Sequence, residues 1–270
     1  MKIIVSGAAG RMGRAILENL YQTEGLSLGA ALEKKDHPLL GNDAGALIGI
    51  GSWGVMVADQ SGNQSLKGDV IIDFTYPEAT LSLVQKACSK QTPMVIGTTG
   101  FTKEDEETFK EAAIKIPIVL SPNMSIGVNV MYKLIADASQ ALDDSYDIEI
   151  SEIHHRHKKD APSGTALRMG TVLAAARGKS LHQVGRFSRE GTIGPRPKEE
   201  IGIQTLRGGD VVGEHTVIFA GPGERIEVTH RAHSRNNFAR GALLAAQWIV
   251  NQPPGLYDMM NVLGLKEGPV

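Results

Sequence analysis

Along the first third of the chain, short runs of β-branched and aliphatic residues alternate with stretches whose apolar positions recur every three to four residues. The runs at 2–6, 26–33, 69–75, 94–98 and 117–120 read as strands, with a helix starting near Arg11 and helix-compatible sequence between the later strands. Such alternation predicts parallel strands joined by helical crossovers, an open doubly wound sheet. From about Ser125 the pattern changes. Val130, Leu134, Ile135, Ala138 and Leu142 mark a long helix, after which 147–155, 201–207, 214–220 and 225–233 read as strands of a mainly antiparallel sheet. Gly208-Gly209-Asp210 and Gly221-Pro222-Gly223 supply turns, a helix starts near Ser163, and 178–197 reads as a long loop. A last helix, 238–251, carries Ala, Leu and Trp248 on an apolar face. The expected fold class is α/β: a Rossmann-like doubly wound parallel sheet over 1–125 and a second α+β domain over 126–237. Segments 125–127 and 239–241, each with a glycine, are the expected hinges of a domain closure.

Composition narrows the function classes. The hydrophobic fraction is 41% and the charged fraction 21%, which fits a folded globular chain. A formal net charge of -2 supplies no global basic field for nucleic acid or an anionic membrane surface, so neither is an expected partner. The most apolar stretch, near 242–250, is interrupted by Gln247 and falls far short of the roughly 20 residues that span a bilayer. The opening Lys2-Ile3-Ile4-Val5 has no export-signal pattern, and cytoplasmic residence is the expectation. The single cysteine, Cys88, reads as a packing residue.

Candidate chemistry begins where the first strand runs into Gly7-Ala8-Ala9-Gly10-Arg11-Met12-Gly13. Small residues between a strand and a helix let backbone approach a pyrophosphate, whose charge meets amide N–H groups and the positive end of the helix dipole. The spacing is G-x-x-G-x-x-G, with Ala9 where the commoner dinucleotide pattern has its second glycine. Glu33 ends the second strand, 20 residues after Gly13, and reads either as an acceptor for the adenosine ribose hydroxyls or as a solvated strand-end charge. Lys34 and Lys35 follow, and cations there favour a 2′-phosphate, so use of both NADH and NADPH is expected. Gly97, Thr98 and Thr99 follow one strand and Ser121, Pro122, Asn123 and Met124 another; carboxyl ends of parallel strands bound the ligand crevice of such sheets, and these loops suit the nicotinamide half or serve as ordinary turns.

The densest candidate is the stretch from Glu149 to Ala166. All six residues from 154 to 159 are basic types: His154, His155, Arg156, His157, Lys158 and Lys159. Such a cluster attracts anions, and each positive neighbour lowers the pKa of the next, which tunes a histidine or lysine for proton transfer near neutral pH. Ser163, Gly164 and Thr165 lead into a helical pattern, and a helix start with a hydroxyl cap suits a carboxylate as well as simple capping. A metal site is not expected, because structural zinc usually draws on cysteines and the adjacent cations oppose a divalent ion.

With Glu149, Glu152, His154, Lys158 and Asp160-Ala161-Pro162-Ser163-Gly164-Thr165-Ala166 in place, the sequence resembles the dihydrodipicolinate reductase family, also called 4-hydroxy-tetrahydrodipicolinate reductases. The likeness extends to Asp73-Phe74-Thr75, Asn129-Val130-Met131, Ser188-Arg189-Glu190-Gly191 and Gly213-Glu214-His215-Thr216. It implies NAD(P)H-dependent reduction of a small cyclic dicarboxylate, with His154 as proton donor or acceptor, Lys158 as proton donor, and His155, Gly164 and Thr165 at the substrate, where the helix-start reading places Ser163 as well. It also implies Gly7, Ala8, Ala9, Gly10, Arg11 and Met12 on the pyrophosphate, Glu33 on the ribose, Lys34 near the NADP phosphate, the loops at Gly97–Thr99 and Ser121–Met124 near the nicotinamide, a homotetramer, and segment 238–270 packing back on the nucleotide domain. Tyr76 and Lys34 depart from relatives with arginine; lysine keeps the charge but loses the bidentate fork. A nucleotide-binding redox sensor without chemistry is the rival reading.

Overall fold

The computed structural model describes residues 1–62, 66–266 and 268–269. The chain divides into two compact units, Met1–Ile126 with Arg235–Val270, and Gly127–Ser234.

The first unit opens with β1 (Lys2–Ser6), α1 (Arg11–Tyr21), β2 (Ser27–Glu33), α2 (Ala44–Leu47), β3 (Val57–Asp59), β4 (Val70–Asp73), α3 (Pro77–Lys90), β5 (Met94–Ile96), α4 (Lys103–Ala113) and β6 (Pro117–Leu120). Along β1 the side chains alternate between two cores: Ile3 and Val5 pack with α1, while Ile4 packs with Leu83, Val84 and Phe109 of α3 and α4. Burial on both faces is why these strands read as continuous apolar runs, and it is what a parallel sheet requires.

The second unit takes α5 (Ile126–Ala141), β7 (Asp147–His154), α6 (Gly164–Ala176), α7 (Leu181–Val184), β8 (Gly185–Arg186), β9 (Ile201–Arg207), β10 (Gly213–Gly221) and β11 (Glu224–Ala232). Its sheet is mixed, in the order β11-β10-β7-β9-β8. The long ladders β11/β10 and β10/β7 are antiparallel, whereas β7/β9 and β8/β9 are parallel. Inward residues Ile148 and Ile150, Ile201 and Ile203, Val217 and Phe219 meet Met131 and Ile135 of α5 and Met169 and Leu173 of α6. Segment 178–197 is not one plain loop. It holds α7 and β8, and its arginines are tied down: Arg189 donates to Glu149 at 2.9 and 2.5 Å, and Arg196 donates to Glu149 at 3.0 Å and Asp147 at 2.7 Å.

The chain then returns to the first unit with α8 (Asn236–Ile249), β12 (Gly255–Tyr257) and α9 (Met259–Val262). Ala239, Ala242, Leu243, Ala245, Ala246 and Ile249 of α8 join the core that holds Ile3 and Val5. β12 pairs in parallel with β6, completing a seven-stranded sheet in the order β12-β6-β5-β4-β1-β2-β3. Strand order reverses between β1 and β4, and such a switch point opens a crevice at the carboxyl ends of the strands.

Candidate active site

The crevice is present at that switch point. A cleft of about 550 Å³ is lined by residues that include Gly7, Ala9, Gly10, Glu33, Lys34, Lys35, Asp59, Phe74, Thr75 and Tyr76. Gly7 has φ +75°, and a Cβ there would stand 2.7 Å from the Phe74 carbonyl; at Gly13 it would stand 2.1 Å from the Gly7 carbonyl. Glycine at these positions lets the loop fold down on β4 and onto the start of α1.

The loop amides are not equally available. Gly7 and Ala8 donate to the Leu32 carbonyl at 2.9 and 3.0 Å, Gly10 donates to Gly7 at 3.0 Å, and Ala9 donates to Glu33 Oε1 at 2.9 Å. The first helical bond back to the cap runs from Arg14 to Gly10, so geometry leaves the amides at Arg11 and Met12 pointing out of the first turn. Gly10 caps α1 with no side chain over that turn. The Glu33 carboxylate is buried and takes N–H groups from Ala9 and, at 3.2 Å, from Lys34. Each oxygen keeps a further lone pair for a ligand hydroxyl.

The two later loops stand at the ends of β5 and β6 and are not among the residues forming the cleft wall. Thr98 is buried: its Oγ1 donates to Asp73 at 3.0 Å and accepts the Thr75 N–H at 2.9 Å. Asp73 also accepts from Thr80 at 2.5 Å and Thr75 at 3.0 Å, and burial pushes its carboxyl above the usual range despite these donors. The Phe74 ring fills the space that a side chain at Gly97 would need. Ser121 Oγ donates to the Asn123 carbonyl at 3.0 Å, Met124 is core, and Thr99 and Pro122 are exposed. Side-chain positions 98 and 124 thus shape the loops, leaving backbone and the exposed neighbours for contact.

In the second unit the alternation of β7 puts Glu152 and His154 on the inward face below Ile148 and Ile150. His154 Nδ1 lies 2.6 Å from Glu152 Oε2. Arg207, opposite His154 in the β7/β9 register, reaches both Glu152 oxygens, at 2.9 and 3.0 Å. Burial works against the Glu152 charge, but the Arg207, His154 and Ser163 donors hold its carboxyl below the usual range. Burial lowers the His154 pKa, Glu152 opposes that shift, and the charges of Lys158 and Arg207 add to it. Lys158 Nζ pairs with Asp160 at 2.9 Å, His155 Nδ1 is buried without a partner, and the Ala161–Pro162 bond is cis.

Ser163 caps α6. Its N–H donates to Glu152 Oε1 at 3.0 Å, and its Oγ accepts from the Ala166 N–H at 3.2 Å and lies 3.0 Å from His215 Nε2. Both polar groups of Ser163 are therefore occupied inside the fold, and Gly164 and Thr165 form the first turn beyond it, with Gly164 exposed. His215 packs edge-on to His154, with ring centroids 5.1 Å apart.

Glu152 lay inside the candidate stretch and His215 in a motif that carries the resemblance, both without an assigned role, and Arg207 was not singled out. Glu152 and His215 carried a signal, since each sits in an inward alternation of otherwise apolar residues. Arg207 carried none, because its place depends on which strand lies beside β7.

A parallel sheet with a glycine cradle at its switch point, in a chain whose other unit holds a burial-tuned histidine beside a helix start, defines an NAD(P)H-dependent oxidoreductase. Comparison with known proteins makes this specific. Residues 1–124 match the family described as dihydrodipicolinate reductase, N-terminus, and residues 127–263 match dihydrodipicolinate reductase, C-terminus. The chain belongs to the dihydrodipicolinate reductase family. It is 52% identical over 266 residues to the 4-hydroxy-tetrahydrodipicolinate reductase of Syntrophus aciditrophicus (strain SB), covering 98% of this chain and 99% of the relative. It is 52% identical over 267 residues to the enzyme of that name from Anaeromyxobacter dehalogenans (strain 2CP-1 / ATCC BAA-258), covering 99% of each. In fold it is similar to the dipicolinate-bound dihydrodipicolinate reductase from Paenisporosarcina sp. TG-14, with a TM-score of 0.74, 24% identity, and coverage of 96% of this chain and 98% of that one.

Proposed function

We propose that this chain reduces 4-hydroxy-tetrahydrodipicolinate to tetrahydrodipicolinate, with loss of water, in lysine and diaminopimelate biosynthesis. The observation that carries the proposal is the match across both units at about half identity to reductases of that name. The glycine cradle fits a dinucleotide, because a Cβ at Gly7 or Gly13 would meet backbone and Gly10 leaves the start of α1 uncovered. Arg11 and Met12 would hold the pyrophosphate through their amides, within a loop shaped by Gly7, Ala8, Ala9 and Gly10. Glu33 would take the ribose, Lys34 and Lys35 a 2′-phosphate when NADPH binds, and the turns at Gly97–Thr99 and Ser121–Met124 the nicotinamide end.

When bound, the reduced nicotinamide supplies a hydride. This chain supplies orientation and protons. Gly164 and Thr165 at the start of α6, with His155, would hold substrate carboxylate, and Lys158 would neutralise and protonate developing charge. His154 would take up or deliver a proton at Nε2, since Nδ1 is engaged by Glu152. Residence in the cytoplasm follows from the need for reduced nicotinamide, and a homotetramer built through the second unit fits the half-exposed Leu206 on the outward side of its sheet.

The test is oxidation of NADH and NADPH followed by absorbance, with substrate formed in situ from pyruvate and aspartate semialdehyde. Wild type turns over with both cofactors, and Lys158→Ala loses about 100-fold or more in kcat with NADPH binding retained. No turnover in wild type despite tight NADPH binding would overturn the proposal in favour of a nucleotide sensor.

A further inference from the structure

One carboxylate in the second unit joins three separate pieces of the fold. Glu152 is fully buried on β7. Its Oε2 faces His154 Nδ1 and one Arg207 nitrogen, and its Oε1 accepts from the Ser163 amide and the other Arg207 nitrogen. A strand, its parallel neighbour and the cap of α6 therefore meet at a single charged group. An ionised carboxylate only accepts hydrogen bonds, so the Nδ1 it faces must carry the hydrogen, and in the neutral ring Nε2 becomes the basic nitrogen. A second feature protects that nitrogen: at Gly213 a Cβ would stand 2.8 Å from Nε2. Glycine there keeps a side chain off the ring nitrogen that Glu152 leaves free.

We propose that Glu152 is the positioning residue of the reaction, fixing His154 as its Nδ1–H tautomer and registering the helix start at Ser163–Thr165 against the same imidazole, with Arg207 holding both carboxylate oxygens in place. The proposal rests on His154 being the proton-handling residue of the reductase. It predicts opposite effects from the two partners. Glu152→Gln removes the charge that favours the imidazolium, so the limb of the kcat–pH profile set by His154 moves to lower pH. Arg207→Met removes a cation that disfavours the imidazolium, so the same limb moves to higher pH. A scaffold role alone gives no opposed pair.

The experiment is the kcat–pH profile of wild type, Glu152→Gln, Arg207→Met and His154→Gln with NADH and substrate formed in situ, alongside NADH affinity and melting temperature. Expected are a loss of about 100-fold in kcat for Glu152→Gln with KM changed much less, a limb displaced downward, an upward displacement in Arg207→Met, and unchanged NADH affinity, since the nucleotide cleft is built from first-unit residues. Glu152→Gln with wild-type kcat, or with reduced kcat and an unmoved limb, overturns the proposal. Should that variant not fold, Arg207→Met decides alone, and an unmoved limb there overturns it. A His154→Gln enzyme that keeps the wild-type limb overturns the role of His154 and this proposal with it, whereas a wild type without turnover overturns the reductase reading itself.

Discussion

His215 shares the inward face of β10 with Val217 and Phe219, and its Nδ1 has no partner. Burial, reinforced by the neighbouring His154, pushes its pKa down to about 3. The unfolded chain binds a proton at this residue below about pH 6.5, which the folded chain refuses until far lower pH. Its contribution to stability is therefore full above about pH 6.5 and is lost as pH falls toward 3, at up to about 1.4 kcal/mol per pH unit. His154, also lowered, acts in the same direction. Urea unfolding at about pH 7.5 and about pH 5.5 should show a smaller acid loss for His215→Gln than for wild type; equal losses would assign the acid sensitivity to other groups.

At the scale of elements, α8 binds the ends of the chain together. Its Ala-rich face lies close to the sheet because Gly241 has no side chain; a Cβ there would stand 1.8 Å from the Met124 carbonyl, which is backbone and cannot rotate away. Gly241→Ala must therefore push the helix off the Met124 backbone in the loop after β6, at a cost of about 1–3 kcal/mol, lowering Tm by roughly 5 °C. Gly164→Ala meets nothing within 4 Å and starts a helix, so its Tm should stay within about 1 °C of wild type. Calorimetry on the two variants checks this, and equal Tm values would refute the packing argument. Elements were legible in proportion to their length and periodicity. β1, β6 and β9 stand where the apolar runs predict them, and even the three-residue β5 does, since Met94-Val95-Ile96 is wholly apolar and buried, while β3 and β12, equally short edge strands and only partly buried, carry no such run.

At the scale of the whole molecule, the outward side of the second sheet mixes ion pairs such as Arg189–Glu149 with Leu206, 48% exposed. In the proposed homotetramer, closure through that side would bury its apolar positions and leave the charged ones paired. Sedimentation should give a mass about four times 28.9 kDa, and Leu206→Glu should reduce it; a monomeric wild type would refute the tetramer.

The sequence by itself determined the local and the covalently close: the glycine spacing that permits the turn after β1, the doubled burial of the parallel strands, and the inward alternation that carries Glu152 and His154 on β7. Each is readable because backbone sterics and a period of two or 3.6 residues act within a few positions. Tertiary structure decided what depends on pairing between distant segments. Only the parallel register of β7 with β9 places Arg207 beside Glu152, only the fold of β10 brings His215 to Ser163, and only packing distinguishes loop amides that are occupied, at Gly7 to Gly10, from those that are available, at Arg11 and Met12. The physical reason is that a hydrogen bond or ion pair is set by position in space, which the order of residues constrains only through the fold.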